Sequence, residues 1–345
     1  MHHFCTYLDR NYLTRALSLY ISLERHCSAF HIWMLCMDAE SHDTLSKLDL
    51  PYVDLIALEE LEQSDSRLAK AKVERTLVEY YFTCTPSLPF FILNNYDYVQ
   101  LITYIDADLY FFADPIPVFD EIGHGSVAII PHRHSQPDED LAQYGIYNVG
   151  WVSFRRDGHG LSCLEWWRES CVRWCYDRPE SGRFADQKYL DHFPILFQNV
   201  VVLDHKGANL APWNIANYEI GIADDCVMVD EQLLIFYHFQ GFRQVAKWLY
   251  NPNLAGYGAR SSSLINRAIY GEYIRVLWEV SAWLGLGDAG LSPLNTLPRG
   301  VAGTRGIADT SFLLSVFRWW KGLLRVCRGI IGRHYVLVVG GRVLR

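Results

Sequence analysis

Apolar and polar positions alternate in blocks that predict strand and helix in turn through the first hundred residues. "HFCTYLD" (His3 to Asp9) is a short apolar run closed by an acid, as a buried strand would be. The next stretch, "YLTRALSLYISLERHC", carries Leu13, Leu17, Tyr20, Ile21 and Leu23 on a helical period. "FHIWMLCMD" reads as a second strand ending at Asp38, "SHDTLSKLDLP" as a short helix, and "YVDLIALEEL" as a third strand and turn. A helix is expected from about Asp65 to Cys84, followed by the strand "LITYID". Continuous apolar strands separated by helices predict an α/β fold whose parallel sheet is covered on both faces. In such sheets ligands bind beyond the carboxyl ends of the strands.

The second half mixes elements less regularly. "SVAIIPHRH", "YNVGWVSFRRD" and "VVVLDHKGANLAPWN" are strand-like, and "LSCLEWWRESCVRWCYDR" is helical. "SSSLINRAIYGEYIRVLWEVSAWL" predicts a capped helix. Six glycines and two prolines in the 22 residues from Gly285 to Gly306 mark a boundary. This divides the chain into a main domain over 1–260, a helical extension and linker over 261–297, and a basic tail over 298–345.

Charge sharpens that division. The 345 residues carry a formal −8, but from Pro298 onward nine Lys or Arg face one acid, Asp309. The tail is therefore +8 and the body −16, which does not suit a nucleic-acid binder. Within the tail, Arg318, Lys321, Arg325 and Arg328 share a helical stripe about 80° wide. Phe312, Leu313, Val316, Phe317, Trp319, Trp320, Leu323 and Leu324 fill the other side, a pattern expected of a helix lying in an anionic membrane interface. The alternative is a helix packed on the body. No run of about 18 apolar residues and no signal-peptide pattern stand in the sequence, so a cytoplasmic, peripheral protein is expected. The nine cysteines lack a C-x-x-C pair and read as reduced thiols, with Cys171 and Cys175 at helical core spacing and zinc disfavoured.

The candidate chemistry centres on "LITYIDADLYFFADP", where Asp106 and Asp108 close an apolar strand. An unpaired buried carboxylate is costly, so two at a strand end imply a shared cation or chemistry, against the plainer reading of a cap and a solvated loop acid. A hard ion such as Mg²⁺ or Mn²⁺ takes oxygen ligands and bridges substrate phosphates. "IFYHFQGF" ends another apolar run on His238, with Gly241 where backbone can approach a phosphate. "GRFADQKYLD" sets Asp186 and Gln187 before a helix, where they serve as caps or address a sugar. The histidines of "PHRHSQPDEDL" fall in an apparent loop and read as solvated. In "GANLAPWNIANY", Asn209, Trp213 and Asn214 read as a packed Trp with turn-forming asparagines, or as acceptor-facing groups.

"YIDADL", "YNVGWVSF", "FADQKYL" and "YHFQGF", in that order after "TYLDRNYLTRALSLYISL", resemble glycosyltransferase family 8 over about residues 3 to 250. The resemblance implies a GT-A fold, Rossmann-like and single-domain, with the basic amphipathic extension appended. It implies a metal-dependent hexosyltransferase that retains anomeric configuration, with a nucleoside diphosphate sugar, first of all a UDP-sugar, as donor. The acceptor would be a glycan or lipid-linked glycan of surface polysaccharide synthesis. Asp106, Asp108 and His238 would hold Mn²⁺ or Mg²⁺, and Asn148, Asp186 and Gln187 would line the donor sugar. Thr6, Tyr7 and Asp9 would flank the base, and Ala107, Gly150 and Gly241 would let backbone approach the donor. Lys72 and Arg75 stand roughly where the family has a helix arginine near the sugar. Gln244 replaces the family's lysine after His-x-x-Gly, so Arg243 or Lys247 would supply the phosphate-binding cation. Two other classes compete: a sugar-nucleotide or glycan-binding module without turnover, and a haloacid-dehalogenase-type phosphatase. The phosphatase pattern would place its D-x-D near the N-terminus and follow it with small residues, not with Leu109, Tyr110 and Phe111.

Overall fold

The first apolar run folds as β1 (His2–Leu8), and the helical pattern after it as α1 (Leu13–His26). The computed structural model describes residues 1–135, 139–180, 182–286, 334–339 and 342–343. Within these the chain forms two units, Met1–His238 and Phe239–Arg345. The first unit continues with β2 (Phe30–Cys36), α2 (Ala39–Leu45), capped where Asp38 accepts the Ser41 amide, and β3 (Val53–Ala57).

Beyond β3 the expected turn is a helix, α3 (Leu58–Ser64), and the expected helix from 65 to 84 is two, α4 (Ser66–Glu74) and α5 (Leu77–Asn95). The break has a local cause. Arg75 is extended (φ −123°), and Thr76 opens α5 with a capping box to Glu79. α5 then runs through Pro86 and Pro89, because Tyr80, Phe82, Leu88, Ile92 and Leu93 are buried along it. That packing outweighs an interior-proline cost of ~3 kcal/mol.

β4 (Leu101–Ile105) and β5 (Leu109–Phe111) flank the paired aspartates. They are followed by α6 (Ile116–Ile122), β6 (Val127–Pro131), α7 (Glu139–Ala142), β7 (Tyr147–Arg155) and α8 (Gly158–Arg173). Short α9 (Phe193–Leu196) and β8 (Val200–Val202) come next. A meander of β9 (Ile220–Ala223), β10 (Cys226–Val229) and β11 (Gln232–Leu233) leads to β12 (Phe236–His238).

The main sheet has the order β3-β2-β1-β4-β7-β6-β8. β1 is parallel to both β2 and β4, whereas β7 is antiparallel to β4 and β6. Chain order runs outward from β1 to β3 and then resumes at β4 on β1's other side. The switch point between β1 and β4 is where such sheets open a crevice at their carboxyl edge, and the D-x-D sits there. This is the α/β arrangement expected of a GT-A fold.

The second unit carries an antiparallel sheet of β13 (Arg243–Ala246), β14 (Leu249–Asn251), β15 (Val336–Val339) and β16 (Arg342–Val343). Its predicted helix is capped by Ser262 and runs as α10 (Ser263–Ile265), a π turn over Asn266–Gly271 and α11 (Glu272–Trp283). Phe239 stacks on Tyr273 at 3.7 Å. Two segments of the stretch read as a tail are thus strands, while the amphipathic run over 312–331 lies outside the described residues. No helix among the described residues is long and apolar enough to cross a membrane. The eight cysteines described are free thiols, seven of them buried.

Candidate active site

β4 ends on Ile105, and the next residue, Asp106, is anchored from two sides. Its amide donates to the Gly150 carbonyl at 3.3 Å, and Tyr104 donates its hydroxyl to Oδ1 at 2.9 Å. Burial first, then the Asp106 charge, pushes the Tyr104 phenol well up, so it stays a donor. His238 reaches the same place from far along the chain. β12 pairs antiparallel with β5, setting His238 opposite Leu109 and therefore beside Asp108. Its Nε2 lies 3.2 Å from Asp108 Oδ1 and 3.6 Å from Asp106 Oδ2. One ligand atom from each of the three residues falls within 4.8 Å of the others. Burial alone would raise the Asp108 carboxyl, but His238, with a smaller contribution from Arg15 on α1, outweighs it and holds the group below its usual range.

Asn148, near the start of β7, connects this cluster to the strand behind it. Its Oδ1 accepts from the Gly150 amide at 3.1 Å and faces His238 Nδ1 at 3.2 Å. Its Nδ2 faces His132 Nε2 at 3.3 Å and Gln187 Oε1 at 3.3 Å. An amide side chain has two acceptor and two donor positions, and protein groups take all four here. Asn148, expected to line the donor sugar, thus also braces His238. Gly150 is required by space: a Cβ there would lie 2.5 Å from Asn148 Oδ1 and 2.8 Å from His238 Nδ1.

Asp186 and Gln187 precede a 3₁₀ turn over Lys188–His192. Asp186 is 4 % exposed, and its charge helps raise the Tyr7 and Tyr104 phenols, for which burial is the larger cause. Gln187 joins the site through Asn148 and is oriented by its Nε2 donating to the Tyr144 carbonyl at 3.0 Å. Ala107 is buried between the two aspartates. Tyr7 packs against Tyr81 and Tyr104, whereas Thr6 is wholly buried. Asp9 accepts the amides of Asn11 and Tyr12 in the turn into α1.

Lys72 and Arg75 have other partners. Lys72 pairs with Glu62 at 2.8 Å. Arg75 is buried between α5 and α8, donating to Thr83 and, at 2.6 Å, to the Val172 carbonyl. These contacts tie neighbouring helices together. Gly241, Arg243 and Lys247 belong to the second unit. Gly241 has φ +69°, and a Cβ would meet Asn253 Nδ2 at 2.4 Å, so the turn itself demands glycine. Arg243 and Lys247 are exposed at the start of β13 and in the turn after it. Asn209, Trp213 and Asn214 are buried, Asn214 tying the turn to the His132 and Asn209 carbonyls, as the packed reading expects.

His132 was misread as a solvated loop residue. It is 7 % exposed, with Nδ1 3.1 Å from the Ile146 carbonyl. Burial is the main cause, ahead of His134, of its pKa falling to about 3, so the ring is neutral. The available signal was position: His132 directly follows β6, which runs the same way as β4. Two carboxylates and one imidazole nitrogen at these distances form a donor set that fits Mg²⁺ or Mn²⁺.

No family model matches the chain. It is 36% identical to the uncharacterised Bacillus subtilis (strain 168) protein YfnF over 251 residues, 70% of this chain and 82% of YfnF. To YfnD, uncharacterised and from the same strain, it is 33% identical over 277 residues, 79% of this chain and 87% of YfnD. Among solved structures it is similar to the galactosyltransferase LgtC in complex with donor and acceptor sugar analogues. That match has 14% identity and a TM-score of 0.47, over 71% of this chain and 89% of LgtC. Mouse xyloside xylosyltransferase 1 matches at 13% identity and a TM-score of 0.45, over 70% of this chain and 98% of the mouse chain.

Proposed function

The chain belongs to the family of Bacillus subtilis YfnF and YfnD, and we propose that it is a divalent-metal-dependent glycosyltransferase. The donor we assign is a nucleoside diphosphate hexose, first of all a UDP-hexose, and the acceptor a glycan or lipid-linked glycan. The observation that carries this reading is the Asp106–Asp108–His238 cluster at the switch point between β1 and β4. These three side chains would hold Mn²⁺ or Mg²⁺, which when bound supplies countercharge to a diphosphate leaving group. Tyr104 and the Gly150 carbonyl keep Asp106 in place. Asp186, which the resemblance places beside the donor sugar, is buried, and burial would favour positioned donors over water there. Transfer with retention, as the family resemblance implies, needs a positioned acceptor hydroxyl on the leaving-group face.

The proposal extends to location. The cationic stripe and apolar face within 312–331 suit an anionic membrane surface on the cytoplasmic side, where a surface-glycan precursor would be met. Purified full-length protein should release UDP from one member of a UDP-hexose panel in Mn²⁺, and lose that release with EDTA or in Asp108→Asn. UDP release that survives both treatments, or that no donor in the panel supports, refutes the reading. Flotation with anionic liposomes, lost when Arg318, Lys321, Arg325 and Arg328 become Glu, checks the membrane component.

A further inference from the structure

We propose that Asn148 and His132 are positioning residues that fix the tautomer of His238, holding a proton on Nδ1 and keeping the Nε2 lone pair for the cation that Asp106 and Asp108 would share. The inference rests on the reading of Asp106, Asp108 and His238 as a metal site. It goes further by assigning the tautomers of His238 and His132 and the orientation of the Asn148 amide between them.

The assignment follows from groups that leave no choice of role. The Gly150 amide can only donate, so the Asn148 atom 3.1 Å from it must be the oxygen. That oxygen also faces His238 Nδ1 at 3.2 Å, so Nδ1 must carry the proton. The other end gives the same answer independently. The Ile146 carbonyl can only accept, so His132 Nδ1, 3.1 Å away, is the protonated nitrogen. His132 is neutral, and its Nε2 is therefore an acceptor toward Asn148 Nδ2 at 3.3 Å. A third constraint agrees. Gln187 Nε2 donates to the Tyr144 carbonyl at 3.0 Å, leaving Oε1 to accept from the same Asn148 nitrogen.

Three rigid backbone groups, on Gly150, Ile146 and Tyr144, thus set one amide in one orientation. Asn148 is 6 % exposed and His238 3 % exposed, so water has little access to scramble the network. Trp213 packs edge-on to both His132 and His238, at 5.4 and 5.1 Å, and keeps the two rings in register. Outer partners of this kind orient a ligating histidine and raise its basicity.

The test reads tautomers directly. Two-bond ¹H–¹⁵N spectra of the metal-free full-length protein labelled at histidine are recorded, with the His238 and His132 signals identified by loss in His238→Gln and His132→Phe. Protonated Nδ1 is expected on both rings. A bare Nδ1 on His238 overturns the proposal, and this outcome needs no folded variant at position 148. Mn²⁺ titration of Asn148→Ala, followed by the free-ion EPR signal, should then show affinity about 10–100-fold weaker than wild type. Unchanged affinity overturns the positioning role even if the tautomer is as expected. Neither measurement uses a donor sugar, so failure of the transferase reading would leave these outcomes legible on their own.

Discussion

Replacing Gly150 with Ala adds one methyl group at the point where the site has no room. The new Cβ would lie 2.5 Å from Asn148 Oδ1, 2.8 Å from His238 Nδ1 and 2.9 Å from His238 Cε1. Ordinary contact begins near 3.4 Å, so the imidazole would have to retreat by about 0.6 Å, the difference from 2.8 Å. It has little space for that, because Trp213 packs against the ring and β12 holds its backbone to β5. Two effects should follow. Overpacking of this size costs ~1–3 kcal/mol of stability. Displacing a ligand by part of an ångström should weaken Mn²⁺ binding by about 10–100-fold, as loss of an outer partner does. Gly158→Ala is the internal control: nothing lies within 4 Å of its Cβ position at the start of α8, so that variant should bind Mn²⁺ normally. Its stability should be unchanged or raised by ~0.4–1 kcal/mol. The assay pairs the free-ion EPR signal during Mn²⁺ titration with urea denaturation for all three proteins. A Gly150→Ala protein that matches wild type in both readings would refute the claim that this contact sets the ligand's position.

The remaining predictions concern pH. Asp157 caps α8 through the His159 and Gly160 amides; burial opposes its ionisation, but these bonds and Ser126 outweigh burial and hold the carboxyl below its usual range. Asp157→Ala should therefore cost ~1 kcal/mol at pH 7, and the gap should close as pH falls below about 4 toward the lowered pKa; an equal gap at pH 7 and pH 3 in urea denaturation contradicts it. His132 has the opposite charge sense. Its folded pKa of about 3, lowered first by burial, lies under the ordinary histidine value of about 6.5, so the unfolded chain takes the proton first and stability declines as pH falls from 6.5 toward 3. His132→Phe should lose up to ~1.4 kcal/mol per pH unit of that slope, and parallel stability curves for the two proteins over pH 4.5–6.5 would rule it out.

What could be read from the chain, and what could not, divides along sequence separation. β1, α1 and β2 come out within a residue or two of their expected ends because each is defined by a periodicity contained in its own residues. The D-x-D was legible for the same reason: an apolar run and the acids that end it are adjacent. The position of His238 came only from the family resemblance, since it depends on β12 pairing with β5 in one register across more than a hundred residues, and local pattern does not encode register. α5 escaped because two prolines argue locally for a stop, while burial of the surrounding apolar face decides otherwise. Lys72 and Arg75 were placed by their rough position in the family pattern, and that pattern does not show their partners Glu62, Thr83 and the Val172 carbonyl in the helix packing. His132 is the instructive case, because the rule that located Asp106 applies to it unchanged. β4 and β6 run in the same direction, so the residue after each reaches the same edge of the sheet. β7 runs the opposite way, so it is the start of that strand, at Asn148, that meets them there. Strand direction, once known, converts three scattered polar residues into one network, and that direction is the quantity a periodicity pattern does not contain.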